Sequence, residues 1–214
     1  MLVSVLAIMV LHAVPLDTIW TEKTDGYEIE VCYPAIALEN QVLGGLLQAY
    51  AMEVVMQFER QFEENLLYDP MPTPWYLELN LNHEPSPDGM ICILVWQWDY
   101  MGGAHGNTST QALNYREEAM ESVGVVELLG GEEELTLFSE KVIEELMTES
   151  RDEGWVQRGA GPDPQNYHSV TPVPDENGRT EGYIVIFPPY QVECYAYGPI
   201  EVYIPLTDLL PEPV

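Results

Sequence analysis

The chain has 214 residues, 46% of them hydrophobic, and a formal net charge of −29 from 36 acidic residues against 7 Lys and Arg. That apolar content supports a buried core and argues against disorder, while so acidic a surface repels nucleic acid and anionic lipid, which are bound through basic patches. It attracts a basic partner by speeding encounter, an effect that fades with salt, unless the charge only reflects an acidic proteome or saline habitat.

Met1 to Val14 is an apolar run of signal-peptide length, too short to span a bilayer. It lacks a basic n-region, and Leu11 fits poorly two residues before Ala13, the candidate cleavage position. The expectation for 1–15 is a signal peptide or truncated membrane segment, with a buried N-terminal strand as the alternative. Beyond it, an N-terminal α+β module over 16–118 and a C-terminal α+β module over 119–214 are expected to pack closely.

Tyr27 to Ala37 reads as a strand with Ile29, Val31 and Tyr33 on one side. Asn40 then suits the N-cap of a long helix to about Leu67. Leu43, Leu47, Tyr50, Val54, Phe58, Phe62 and Leu66 recur at steps of three or four and form its core face. The prolines of Asp69–Pro74 end it. Trp75–His83, Met90–Tyr100 and Thr108–Tyr115 alternate as three antiparallel strands that can pack on the helix.

Val123–Leu129 is a short apolar piece with no clear assignment. Leu135–Phe138 leads towards a second helix near Ser139–Ser150, capped by Ser139, with Val142, Ile143, Leu146 and Met147 inward. Gly154–Gly178, rich in Gly, Pro, Asp and Asn, reads as loop with one strand. Gly182–Phe187, apolar on both faces, is a buried central strand, and Pro199–Pro205 alternates. The fold class is α+β: antiparallel sheets with one long N-terminal helix and a second shorter helix packed on them.

Catalytic signatures are absent from the sequence: no GxSxG elbow, HExxH, Walker loop or GxGxxG. The four histidines, His12, His83, His105 and His168, have no i, i+4 spacing, and Cys32, Cys92 and Cys194 form no CxxC. The cysteines read as small apolar residues in strands, with a single bridge as the alternative. No cofactor or metal is expected, and a non-enzymatic role leads.

Two stretches stand out. Tyr100-Met-Gly-Gly103-Ala-His105-Gly106 is a glycine corner between two strands, carrying one histidine that either meets a ligand or caps local carbonyls. Phe187-Pro-Pro-Tyr190 to Tyr195-Ala-Tyr-Gly-Pro199 is a stiff, tyrosine-rich loop, the kind that supplies contact area at low entropic cost or buries itself as a strand corner.

These residues also carry a resemblance. Tyr100–Gly106 with Asn114-Tyr115, Leu135-Thr-Leu-Phe138, and Phe187-Pro-Pro-Tyr190 with Tyr195–Pro199 and Ile204-Pro205 resemble the ordered motifs of the RsiV-like extracytoplasmic domain family. That family includes lysozyme-sensing anti-sigma ectodomains and is related to the accessory module of peptidoglycan deacetylases. The resemblance spans about Tyr27 to Leu210. It implies an α+β extracytoplasmic fold in two packed halves, the C-terminal one RsiV-like, and recognition of a muramidase or of cell-wall material. It does not extend to an anti-sigma role or to the deacetylase's paired-histidine metal motif. Cys194 stands where the family often has an apolar residue or proline.

The expected function is a secreted or surface-associated binding module for a basic protein such as lysozyme, or for peptidoglycan. Tyr100, Gly103, His105, Tyr190 and Tyr195 are its binding residues, on the expectation that the two bends meet on one face. The alternatives are a cell-wall-sugar hydrolase or metal-dependent enzyme centred on His105, and a structural accessory domain with no ligand. The oligomeric state stays open.

Overall fold

The computed structural model describes residues 17–68, 73–149 and 151–210. The signal peptide expected at 1–15, the prolines at 70 and 72, and Ser150 lie outside them. Among the described residues no helix is long and apolar enough to cross a membrane.

The chain is α+β, with two sheets. The first has six strands in sequence order: β1 (Ile19–Lys23), β2 (Tyr27–Cys32), β3 (Trp75–Glu84), β4 (Met90–Tyr100), β5 (Asn107–Arg116) and β6 (Glu121–Ser122). Between β2 and β3 run α1 (Ala35–Glu39) and the long α2 (Gln41–Leu66). The strand expected over Tyr27–Ala37 is β2 and ends at Cys32, because Pro34 offers no amide to a ladder and serves as the cap of α1 instead. The helical crossover also makes β2 and β3 parallel, while every other pair in this sheet is antiparallel.

Asn40 starts α2 as its sequence suggests, its Oδ1 accepting from the amides of Val42 and Leu43 at 3.1 Å each. Leu43, Leu47, Ala51, Val55, Phe58 and Phe62 then line the buried stripe. Tyr50 and Val54 flank that stripe, and Leu66, the last residue of the helix, is exposed. Against the helix stand Ile29 and Val31 from β2, Leu77, Leu79 and Leu81 from β3, and Ile91, Ile93 and Val95 from β4. Each such buried side chain contributes roughly 2 kcal/mol of apolar transfer.

The second sheet is β7 (Val170–Pro174), β8 (Thr180–Phe187) and β9 (Ile200–Pro205), antiparallel with β8 central, as its two-sided apolar run requires. On it packs α4 (Glu132–Leu146), whose Leu135, Phe138, Val142 and Leu146 meet Val185, Phe187, Val202 and Ile204. The second helix thus begins seven residues before Ser139. Its first turn holds Glu132, Glu133 and Glu134, which suit the positive end of the helix dipole. Ser139 lies mid-helix, where its hydroxyl donates to the Ala160 carbonyl at 2.7 Å. Met147, expected inward, is exposed past the helix end. The Val123–Leu129 piece forms α3 (Val125–Leu129), closed by Gly130 at φ 113°. The stretch read as loop contains α5 (Glu153–Gly159), capped by Asp152, whose carboxylate accepts from the Trp155 amide at 2.8 Å.

The sheets meet along the free edge of β5. The Ala112 amide donates to the His168 carbonyl at 2.8 Å. Two buried side-chain bonds flank it: Asn114 Nδ2 to the Val170 carbonyl at 2.8 Å and Ser169 Oγ to Thr110 Oγ1 at 2.8 Å. At the far end the Asp88 amide donates to the Gly178 carbonyl at 2.8 Å, joining the β3–β4 turn to the β7–β8 turn.

Asp99 of β4 is the one carboxylate buried among the described residues, at 4% exposure, on the helix-covered side. It accepts a long 3.4 Å contact from Gln97 Nε2. Burial pushes its carboxyl above the ordinary 3.8, against the smaller opposing effect of Gln97. The folded chain therefore holds this proton to higher pH than the unfolded chain. The cost of burying the charge is absent well below 3.8, grows as pH rises from there towards the folded value, and is fully present above it.

Asn40→Ala is expected to lose about 1 kcal/mol in urea denaturation, and Asn40→Gly only a few tenths. Asp99→Asn is expected to melt above wild type at neutral pH, with an advantage that narrows as pH falls towards 3.8. An advantage independent of pH would mean the carboxyl ionises there at no cost.

Candidate functional site

The glycine corner between β4 and β5 and the tyrosine loop between β8 and β9 come together. The His105 ring stacks on Tyr195, centroids 4.0 Å apart and planes at 24°. Tyr190 completes a triplet, with centroids 5.6 Å from Tyr195 and 6.5 Å from His105.

The Gly106 peptide organises this contact. Its carbonyl accepts from His105 Nδ1 at 2.8 Å and from Tyr195 Oη at 3.1 Å. Because a carbonyl only accepts, Nδ1 is the donor in this contact, and Nε2 is the nitrogen at the outer edge of the ring. Nε2 lies 3.5 Å from Tyr190 Oη, a long contact that contributes little. Gly106 is buried although its neighbours in the corner are exposed. The Trp98 indole lies over it, where any Cβ would collide. Glycine is needed here for close approach rather than for an unusual φ.

The tyrosine loop is held firmly. Tyr190 sits at φ 72°, an unfavourable conformation for a bulky residue, which persists because its surroundings over-determine it. Its amide donates to the Glu193 carbonyl at 2.9 Å, and its carbonyl accepts from Trp155 Nε1 at 2.9 Å. Gln191 Nε2 donates to the carbonyls of Gly159 and Asn166 at 2.8 Å each, tying the loop to α5 and the segment after it. Gly159 passes so close to the Gln191 carbonyl that no side chain would fit.

Of the five expected site residues, His105, Tyr190 and Tyr195 form one cluster. Tyr100 donates to the Gly103 carbonyl at 3.0 Å, which closes the corner from within. Tyr190 is half exposed and Tyr195 partly buried. Asp99, a conceivable partner for His105, faces the opposite side of the sheet, as neighbouring strand positions do. Sequence reading missed Trp98, Trp155 and Gln191. The tryptophans carried a signal only in being aromatics near glycines, and the glutamine carried none.

Across β1–β5 the helix-free side of the large sheet continues the aromatic surface. Tyr76 stands opposite Tyr100, with ring centroids 6.5 Å apart. Next along β4 come Trp98 opposite Glu78, and Trp96 opposite Asn80. Trp98 then joins this ridge to the His105–Tyr195 stack through Gly106. Cys32 and Cys194 are partly buried and Cys92 is fully buried, all three free. Burial pushes the Cys92 thiol up to about 12, so it stays protonated and inert. Among the described residues no three His, Cys, Asp or Glu side chains converge on a metal-sized point.

No family model and no curated protein matches the chain. Its fold is similar to that of a DUF3298 family protein from Pseudomonas aeruginosa PAO1, with a TM-score of 0.55 and 16% identity over 91% of this chain and 93% of that one. It is also similar to a DUF3298 family member from Bacteroides fragilis, with a TM-score of 0.50 and 17% identity over 88% of each chain. At such identities the similarity concerns architecture, and the α+β arrangement of this chain is one that DUF3298 family proteins share.

Proposed function

We propose that the chain is an extracytoplasmic binding module that recognises a basic protein such as lysozyme, or peptidoglycan, through the aromatic surface centred on His105 and Tyr195. The observation that supports it best is the 4.0 Å stack of those two rings, drawn from loops far apart in sequence. Rings fixed by stacking and by bonds to one shared carbonyl lose little freedom on binding, so more of their contact energy appears as affinity. Two of the RsiV-like motifs, Tyr100–Gly106 and Phe187–Pro199, lie in the loops that make this stack, which is the reason for choosing a muramidase or cell-wall material over other partners. The net charge of −29 favours the basic protein by steering encounter.

Calorimetric titration of lysozyme, and separately of soluble peptidoglycan fragments, across a salt series tests the reading. Binding is expected at low salt and should weaken as salt rises if the basic protein is the ligand. Tyr195→Ala or Tyr190→Ala should weaken it by at least about 1 kcal/mol. No heat with either ligand at low salt would sink the proposal.

A further inference from the structure

The helix-free side of the large sheet carries an arrangement that folding alone does not explain. The register aligns one row straight across four strands: Thr21 on β1, Glu30 on β2, Glu78 on β3 and Trp98 on β4. Residues directly opposite in a sheet share a face and lie close enough to interact. Glu30 and Glu78 thus stand side by side with like charge, a pairing that destabilises a sheet. No Lys, Arg or His among the described residues forms an ion pair with either. Glu78 accepts from Asn80 Nδ2 at 2.7 Å and Glu30 receives a long thiol contact from Cys32, which leaves both charges uncompensated. Both carboxylates are exposed, as are Trp98 (38%) and Tyr76 (41%). No helix covers this side, in contrast to the apolar side under α2.

Resting on the aromatic-surface reading above, we propose that this open face is a docking surface for an arginine-bearing segment of a basic protein. The guanidinium lies on Trp98 and bridges Glu30 and Glu78. Charge complementarity selects the occupant: two adjacent carboxylates beside an indole match a planar cation that stacks on the ring and donates in two directions. An ammonium would meet the charge but not the plane. A neutral sugar would use the Trp96–Trp98–Tyr100 ridge yet leave the Glu30–Glu78 repulsion unrelieved. Binding places a cation between the two carboxylates and removes that repulsion.

The test uses the whole chain with octa-arginine, octa-lysine and lysozyme as separate probes at low salt, comparing wild type, E30Q, E78Q and E30Q/E78Q. Both substitutions are at exposed positions, and removing the repulsion should leave the double variant at least as heat-stable as wild type. Octa-arginine is expected to bind more tightly than octa-lysine, and E30Q/E78Q to weaken octa-arginine at least tenfold, a loss that shrinks in high salt. Equal binding of the two peptides, or no effect of the double variant, would overturn the inference. So would a response of the Trp96 and Trp98 indoles to soluble peptidoglycan fragments that E30Q/E78Q leaves untouched, since the face would then be a sugar platform. If Tyr195→Ala weakens lysozyme while E30Q/E78Q does not, this inference falls and the reading of the aromatic surface stands.

Discussion

The carbonyl of Gly106 is the point on which the candidate site depends. Two side chains donate to it, one from its own corner and one from the loop between β8 and β9. The Trp98 indole lies directly above its α-carbon. Remove the close approach and Trp98 must move, the corner opens, and the acceptor shared by His105 and Tyr195 is displaced. A buried carbonyl without its donors would be costly, so the ring stack and the backbone satisfy each other. The histidine therefore both caps a local carbonyl and offers its free edge outward. The two readings of His105 that its sequence context leaves open are not exclusive.

That corner is useful only if the second sheet is held in register with it. The bonds along β5 do this, and they recast one motif. Asn114 and Tyr115 look like part of a recognition pattern, yet Asn114 spends its amide on the Val170 carbonyl and Tyr115 lies in the core under α2. Asn114 docks one sheet on the other, and Tyr115 anchors its strand in the core beneath the helix. The Asn114 Oδ1 remains buried and unbonded, which makes this junction less than fully satisfied. The more remote bond between the turns at Asp88 and Gly178 fixes the angle from the other end. With both ends tied, the tyrosine loop reaches Gly106 without having to search for it.

Long elements with one clear period were legible in the sequence. The helix from Gln41 to Leu66 and the strands at Trp75, Met90 and Asn107 follow from spacing, the Asn40 cap and the turn residues between them. What escaped is local signal overruled by context. β1 alternates weakly, with a single large apolar residue turned to the core, so only its partner strand defines it. The start of α4 follows two glycines at positive φ and has three glutamates in its first turn, which reads as an acidic loop until the dipole is considered. α5 lies in a glycine-rich stretch and persists because Asp152 caps it and Val156 is buried. Of the site, the two bends were visible and their meeting was an expectation. Trp98 was hidden because a strand that is apolar on one side and aromatic on the other shows no contrast between its faces.

The distribution of charge sharpens the functional argument. A net −29 spread evenly would be a solvation property, saying little about any one face. On the open side of the large sheet it is not even. Aromatic rings occupy β4 and the Tyr76 position of β3, the Glu30 and Glu78 carboxylates stand on β2 and β3, and the one lysine of these rows, Lys23, is held by Glu28 at 2.6 Å. An exposed ion pair of that kind contributes little to stability, but it removes the nearby cation that could have relieved Glu30 and Glu78. The sheet therefore keeps an unrelieved repulsion beside its most exposed indole, in a chain that elsewhere aligns Glu132–Glu134 favourably with a helix end. Natural sequences are locally consistent except where function opposes folding. The row through Glu30, Glu78 and Trp98 breaks that consistency on an uncovered face, joined through Gly106 to the pre-stacked rings, and so extends the proposed recognition surface from the loops onto the sheet.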